Sequence, residues 1–149
     1  MRKNALSVDL AIAAPAARVW DAIADWEGQS NWMLQTTVKR TSDSAEGVGV
    51  TIEAFTGPLH RIYPRFKFFG VLDLMKVTRW EPPTRCDVIH YGSIIKGTGT
   101  FEVEAVSDGH SIFHWSEEIE APWLIFILIK PFILAGVLIS LARFRRLLE

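Results

Sequence analysis

The alternation of apolar and polar residues changes its period along the first part of the chain. Residues 6–13 alternate loosely, as a strand does, because successive strand side chains point to opposite faces. Over residues 16–25 the apolar positions recur every three or four residues, which is the spacing of an amphipathic helix. Pro15 stands where the first helical turn tolerates proline. We predict a strand, this helix, and a second short helix over residues 30–34.

Six further stretches have strand-type alternation, with no helical stretch between them. They span residues 36–40, 49–55, 71–80, 85–91, 97–106 and 111–120. Asp108-Gly109, between the last two, is typical of a tight hairpin turn. Hairpin links join neighbouring strands in opposite directions, so the pattern predicts an antiparallel sheet. The connection from Gly57 to Gly70 is unusually long, and we leave open whether it is an irregular surface loop or a functional lid.

Residues 121–142 form a long apolar stretch in which Lys130 and Ser140 are the only polar side chains. Its length would suffice to span a bilayer, which takes about 20 residues. A lysine in the middle of a span costs about 2.5–3.5 kcal/mol, and without this helix the sheet would lose its cover. We therefore predict a helix packed on the sheet. Pro131 should kink it and leave a hollow beneath it, because a close-packed core leaves almost no space.

Two apolar stripes follow this helix. We predict that the first faces the sheet, and it consists of Leu124, Leu128, Ala135, Leu138 and Ala142. The second is left over for a second copy of the chain or a membrane surface, and it consists of Ile125, Ile129, Phe132 and Gly136. The basic end at residues 143–146 suits either the helix dipole or anionic lipid.

Composition and charge exclude several classes of function. The 16 basic and 17 acidic residues nearly balance, so no overall field favours nucleic acid. The lone Cys86 excludes an internal disulfide and a Cys-rich metal site, and it suits a reducing compartment. The chain has no P-loop, no HExxH and no dinucleotide fingerprint. We expect one domain over residues 1–149, no metal, no cofactor, and a cytoplasmic protein with membrane association as the alternative.

Strand parity brings three ionisable side chains to the apolar face of the sheet. Glu117 shares a face with Phe113 and Trp115, and His90 shares one with Cys86 and Val88. On the strand at residues 71–80, Asp73 has the same parity as Met75 and Val77. A buried carboxylate must be paired, hydrogen-bonded or protonated, so these three groups are candidates for one polar cluster.

Three interpretations of Asp73, His90 and Glu117 stay open. They orient the polar group of a mostly apolar ligand, as a few polar groups in an apolar pocket do. Alternatively they act as general acid and base on a bound carbonyl compound. In the third interpretation, bulges shift the strand register and the side chains face water.

Three segments together resemble the polyketide cyclase/dehydrase-like branch of the SRPBCC (START-like) superfamily. The opening segment is IAAPAARVWDAIADWEGQSNWM. The middle segment is VLDLMKVTRWEPPTRCDVIHYGSIIKGTGTFEVE, a run similar to that of actinobacterial members. The last strand and helix read FHWSEEIEAPW and SLARFRRLLE. The family-like positions are Trp80, His90, Gly97, Gly99, Phe101, Trp115 and Glu117.

The resemblance implies an α+β helix-grip fold, in which a curved antiparallel sheet of about seven strands wraps around a long C-terminal helix. Two short helices follow the first strand. Members of the superfamily bind lipids, sterols, polyketides or hormones in an internal apolar cavity, and some are aromatase/cyclases. The cavity residues we expect here are Trp20, Phe55, Met75, Val77, Val88, His90, Phe101, Val103, Phe113, Trp115, Glu117, Leu128, Phe132 and Ala135.

These observations predict a module that binds a hydrophobic small molecule or lipid. The alternatives are a polyketide aromatase/cyclase or dehydrase, with Asp73, His90 and Glu117 as candidate catalytic residues, and a membrane-associated or self-associating domain. Contact with a membrane surface, or with a second copy, would use the C-terminal helix.

Overall fold

The computed structural model describes residues 3–57 and 70–149, apart from the side chain of Lys3. Seven strands, two α-helices and one short 3₁₀ helix follow one another along these residues. In chain order they are β1 (Lys3–Ile12), α1 (Ala16–Ala24), the 3₁₀ helix (Glu27–Asn31), β2 (Thr36–Arg40), β3 (Thr51–Thr56), β4 (Val71–Glu81), β5 (Arg85–Tyr91), β6 (Lys96–Ser107), β7 (His110–Glu120) and α2 (Trp123–Leu148).

The strands form one sheet with the order β1-β7-β6-β5-β4-β3-β2, and the paired strands are antiparallel. This confirms the predicted antiparallel helix-grip architecture. The turn at Asp108-Gly109 joins β6 to β7 as expected. The predicted second helix is displaced, because the short 3₁₀ helix occupies Glu27–Asn31 and not residues 30–34. Residues 58–69 of the long connection lie outside the described residues.

The inner face of the sheet carries rows of apolar side chains that the strand register aligns. One row runs Val8, Trp115, Phe101, Cys86 and Trp80, from β1 to β4. A bulge between Val77 and Arg79 shifts the register of β4, so that Trp80 joins this row. The bulge follows Val77 in the chain, so the alternation through Asp73, Met75 and Val77 is undisturbed.

The C-terminal half of α2 closes one end of this core. Phe144 is fully buried, stacks on Trp32 with ring centroids 4.6 Å apart, and meets the edge of Phe113 at 5.7 Å. The Ser140 hydroxyl donates to the carbonyl of Gly136 and accepts the Leu34 N–H at 2.9 Å. The aromatic rings and this hydrogen bond hold the end of α2 against the sheet and the 3₁₀ helix.

The face of α2 that meets the core is not the one we predicted. Its buried side chains are Phe126, Ser140, Leu141, Phe144 and Leu148. The predicted sheet-facing stripe points outward instead, with Leu124, Leu128, Ala135, Leu138 and Ala142 exposed. The prediction was wrong because nearly every position from Trp123 to Ile139 is apolar, and such a helix has no polar side to orient it. The helix continues through Pro131, and the kink stays a prediction.

Candidate functional site

His90 lies on the inner face at the end of the sheet where β7 leads into α2. Its register partners are Met75 on β4 and Gly97 on β6, and Gly97 is in turn paired with Ile119 on β7. The His90 side chain is only 2% exposed. A histidine at this depth requires hydrogen-bond partners, since an unpaired buried polar group costs free energy.

Two carboxylates flank the His90 imidazole from opposite sides. Its Nδ1 donates to Asp73, with Nδ1–Oδ distances of 2.8 and 2.9 Å. Its Nε2 lies 3.5 Å from Oε1 of Glu117, a distance of electrostatic contact at which no hydrogen bond forms. We call Asp73, His90 and Glu117 the acid–His–acid cluster. The structure thus brings the three predicted candidates together on the inner face, so the interpretation in which bulges turn them towards water was wrong.

Glycines on β6 make room for this arrangement, because β6 separates β5 from β7. At Gly99 a Cβ atom would lie 3.3 Å from Nε2 of His90 and 3.5 Å from Oε1 of Glu117. At Gly97, where φ is +141°, a Cβ atom would collide with the carbonyl oxygen of Glu118. A side chain at Gly99 would therefore fill the space in which His90 and Glu117 approach each other, whereas one at Gly97 would collide with the backbone of β7.

The His90 imidazole is protonated at neutral pH. Burial by itself lowers its pKa, but the hydrogen bond to Asp73 and the interaction with Glu117 outweigh burial and raise the pKa to about 10. An imidazolium between two ionised carboxylates leaves the cluster with one net negative charge. The Asp73 and Glu117 side chains are 17% and 19% exposed. The carboxylates, and not the buried imidazole, are therefore the groups that a bound molecule can reach.

Apolar side chains adjoin the cluster along the inner face. Val77 and Val88 are buried and occupy the row that leads to Gly99 and Glu117. The predicted cavity residues on this face of β4 to β7 are Met75, Val77, Val88, Phe101, Val103, Phe113 and Trp115. The structure confirms that they share one face. Their contact with a ligand stays a prediction.

Five other residues of the predicted cavity set lie elsewhere. Phe55 is on the opposite face of β3 from the buried Ile52 and Ala54, because its parity matches that of Thr51 and Glu53. Leu128, Phe132 and Ala135 are exposed on the outward side of α2. Trp20 is buried in α1 and packs edge-to-face on Trp80 with ring centroids 5.2 Å apart, inside the aromatic core. The predicted cavity position was therefore wrong for the four residues on β3 and α2. The contact with Trp80 makes Trp20 a packing residue of the core.

The predicted cavity set leaves out residues that the register places beside the cluster. Leu6 on β1 is paired with Glu117, and Ile119 on β7 is paired with Gly97. Strand parity in the sequence puts Ile119 on the same face as Glu117, as the structure does. On α2 the missed residue is Phe126, the one buried side chain in the first half of the helix. Ser140 was the available signal for α2, because a lone hydroxyl in an apolar helix marks the side with a partner.

The geometry of the cluster does not suit a metal ion. Its carboxylates approach different nitrogens of one ring, so the three groups do not converge on a common point. Among residues 3–57 and 70–149, no group of three His, Cys, Asp or Glu side chains could hold a metal ion.

A groove of about 540 Å³ lies on the opposite, outer face of the sheet. Its walls include Arg85, which pairs with Asp87 and with Glu102 at 3.0 Å each. They also include His114, which contacts Glu104 at 2.9 Å. The charges of this groove are taken up by each other, so we place the candidate site on the inner face.

The family model for "Polyketide cyclase / dehydrase and lipid transport" matches residues 5–149. The chain belongs to this family. A search of the curated proteins finds no match to the sequence.

Several solved structures of other proteins have the same fold as this polyketide cyclase/dehydrase family member. The di-domain ARO/CYC BexL of the BE-7585A biosynthetic pathway has a TM-score of 0.73 at 14% identity, over 96% of this chain. The chain spans 45% of the length of that protein. Zhui aromatase/cyclase from Streptomyces sp. R1128 has a TM-score of 0.72 at 10% identity, over 97% of this chain and 92% of its own. A START superfamily protein from Mycobacterium smegmatis has a TM-score of 0.72 at 11% identity, over 96% of this chain and 98% of its own.

Proposed function

We propose that this family member binds a neutral, mostly apolar molecule between the inner face of the sheet and α2, with a hydroxyl group of the ligand against the acid–His–acid cluster. The observation that carries the proposal is a buried imidazolium holding two partly exposed carboxylates on an apolar stretch of the inner face. Apolar walls with a few placed polar groups are typical of small-molecule sites.

The charge of the cluster selects the chemistry of the ligand's polar group. Asp73 and Glu117 accept hydrogen bonds, and with His90 protonated the cluster keeps one net negative charge. A hydroxyl can donate to either carboxylate. The carboxylate of a fatty acid cannot donate, and it would meet a like charge in a region of low dielectric. The site therefore favours an alcohol or a phenol over an acid of the same length.

The probe for this preference is a matched pair, 1-dodecanol and dodecanoate, competing at pH 8 against the neutral dye N-phenyl-1-naphthylamine. We expect dodecanol to displace the dye at a concentration at least about tenfold lower, a difference of roughly 1.4 kcal/mol. Glu117→Gln removes the net negative charge of the cluster and should reduce the difference between the displacing concentrations of dodecanol and dodecanoate. Extraction of the purified protein with organic solvent, followed by mass spectrometry, should recover a neutral hydroxylated lipid or polyketide.

Glu118→Gln is the matched control, because Glu118 adjoins Glu117 on β7 and is exposed on the other face. It should leave both displacement curves unchanged. The proposal fails if dodecanoate binds as tightly as dodecanol, or if the dye does not bind at all.

A second candidate function is a polyketide cyclase or dehydratase reaction, with Glu117 as the general base and His90 as its positioning residue. The specific observation is a partly exposed carboxylate held beside an imidazolium. The aromatase/cyclase neighbours share the fold of this chain, which is compatible with such a reaction. In that case Glu117→Gln should abolish turnover of a poly-β-ketone substrate while dye binding persists, and Glu118→Gln should turn over normally.

A further inference from the structure

The outward side of α2 is a broad apolar surface. Leu128 and Phe132 are 72% and 79% exposed, although they are among the largest apolar side chains of the helix. Further exposed apolar residues on the helix are Trp123, Leu124, Ile125, Ile127, Ile129, Leu138 and Ile139. By length and composition α2 could cross a membrane. Contiguous apolar surface of this kind marks an interaction site.

The charged side chains of α2 avoid this surface. Lys130 lies on the opposite flank, with its Nζ 5.9 Å from the ring of the buried Phe126. Arg143, Arg145 and Arg146 stand together near the C-terminal end. Between Trp123 and Ala142, about 30 Å of helix at 1.5 Å per residue, the outward side therefore has no charge.

The width of the apolar surface favours lipid over a second copy of the chain. A partner helix covers a narrow stripe, whereas here the exposed side chains extend from Ile127 through Leu128 to Ile125, more than a third of the way around the helix. Lipid chains adapt to such a surface. Since the other side of α2 packs on the core through Leu141 and Phe144, the helix can enter lipid only sideways.

A second group of exposed apolar residues lies at the end of the sheet where α2 begins. Ile94, in the turn between β5 and β6, is 67% exposed, and Tyr91 at the end of β5 is exposed as well. Leu72 on β4 is also exposed, and a Cβ atom at Gly92 in this turn would lie 3.8 Å from its carbonyl oxygen. Gly97, which follows this turn, is paired with Ile119 at the end of β7. The turn and the start of α2 thus belong to the same end of the molecule, which is also the end with the acid–His–acid cluster.

We propose that this protein docks on a lipid bilayer, with α2 lying in the plane of one leaflet and its outward side from Leu124 to Ile139 inserted among the acyl chains. Arg145 and Arg146 would meet anionic headgroups at the end of the inserted stretch. The proposal does not depend on which molecule the inner face binds.

The test is flotation of the purified full chain with two kinds of vesicle, pure phosphatidylcholine and phosphatidylcholine with phosphatidylglycerol. We expect the chain to float with both and more tightly with the anionic vesicles. The double variant Leu128→Glu/Phe132→Glu should weaken binding about 100-fold or more, because two large apolar side chains no longer enter lipid. Arg145→Gln/Arg146→Gln should weaken anionic binding by about fivefold for each arginine.

Val48→Glu and Val106→Glu are matched controls, because both valines are exposed and lie outside α2. They should float like the unaltered chain, and circular dichroism should show that the variants fold. The proposal is overturned if the unaltered chain stays at the bottom of the gradient, or if the Leu128/Phe132 variant floats equally well. It is also overturned if sedimentation shows a dimer that this variant dissociates and that does not bind vesicles.

Discussion

At the scale of the residue, His90 shows how a side chain can be buried and charged at once. Desolvation opposes its charge, but Asp73 and Glu117 supply the compensating charge within 3.5 Å. The imidazolium in turn keeps the two carboxylates from repelling each other. In the proposed function His90 would position the two carboxylates as hydrogen-bond acceptors, because its own nitrogens are enclosed.

The raised pKa of His90 predicts a loss of stability in alkaline solution. The folded state raises this pKa from an ordinary value near 6.5 to about 10. The stabilisation is therefore complete below about pH 6.5 and is lost as pH rises towards 10. Between pH 7 and pH 10 we expect the unaltered chain to lose roughly 2–4 kcal/mol more unfolding free energy than His90→Gln. Urea denaturation followed by tryptophan fluorescence measures the difference.

His114→Gln is the control for this pH series. The pKa of His114 is also raised, through hydrogen bonds to Asp9 and Glu104, but its side chain is 32% exposed and solvent screens the pairs. It should change the pH dependence much less than His90→Gln does. Parallel pH profiles for the unaltered chain and His90→Gln would contradict a charged His90.

At the scale of the element, α2 divides into two halves with different environments. Its C-terminal half is tied to the core by Phe144, Leu148 and the Ser140 hydrogen bond to Leu34. Its N-terminal half contributes one buried side chain, Phe126. The helix is held firmly at one end and packs loosely at the other, where the acid–His–acid cluster lies on the sheet.

Ser140→Ala tests the attachment of the C-terminal half. The substitution leaves the Leu34 N–H without its acceptor in a half-buried position, which should cost about 1 kcal/mol of unfolding free energy. Ser93→Ala, at an exposed site in the turn between β5 and β6, should change stability by no more than about 0.5 kcal/mol. Equal stability of the two variants in urea would show that the hydroxyl does not anchor the helix.

At the scale of the whole molecule, packing is dense at one end of the sheet and open at the other. At the closed end the Phe144 ring contacts the rings of both Phe113 and Trp32. The open end combines the polar cluster, the exposed turn at Ile94 and the start of α2. The proposed ligand site and the proposed membrane-docking surface meet at this end, an arrangement that would let an apolar molecule pass between lipid and protein without crossing water.

This asymmetry predicts a gradient of hydrogen exchange along α2. In buffer without lipid, amides of Leu141–Leu148 should exchange nearly as slowly as those of β6 and β7, because the buried side chains of Leu141, Phe144 and Leu148 anchor this segment in the core. Amides of Trp123–Lys130 should exchange at least about tenfold faster, since few buried contacts oppose local opening. Exchange followed by mass spectrometry resolves the two segments. Uniform protection along the helix would contradict the gradient.

Local alternation in the sequence was enough to predict the antiparallel sheet and the shared apolar face of Asp73, His90 and Glu117. Strand parity is a property of covalent geometry, so Asp73, His90 and Glu117 could be assigned to the apolar face without knowing the fold. The same rule would have kept Phe55 out of the cavity set, because it shares the parity of Glu53.

The side of α2 that meets the core, and the distances between the cluster residues, depend on contacts between elements far apart in the chain. A helix that is apolar on every side has no polar/apolar periodicity to show which side faces the core, so its contacts with the sheet determine its inner face. The 2.8 Å hydrogen bond between Asp73 and His90 joins neighbouring strands, and the approach of Glu117 depends on the bare backbone of Gly99 between them. Such distances depend on register across several strands, which local alternation does not contain.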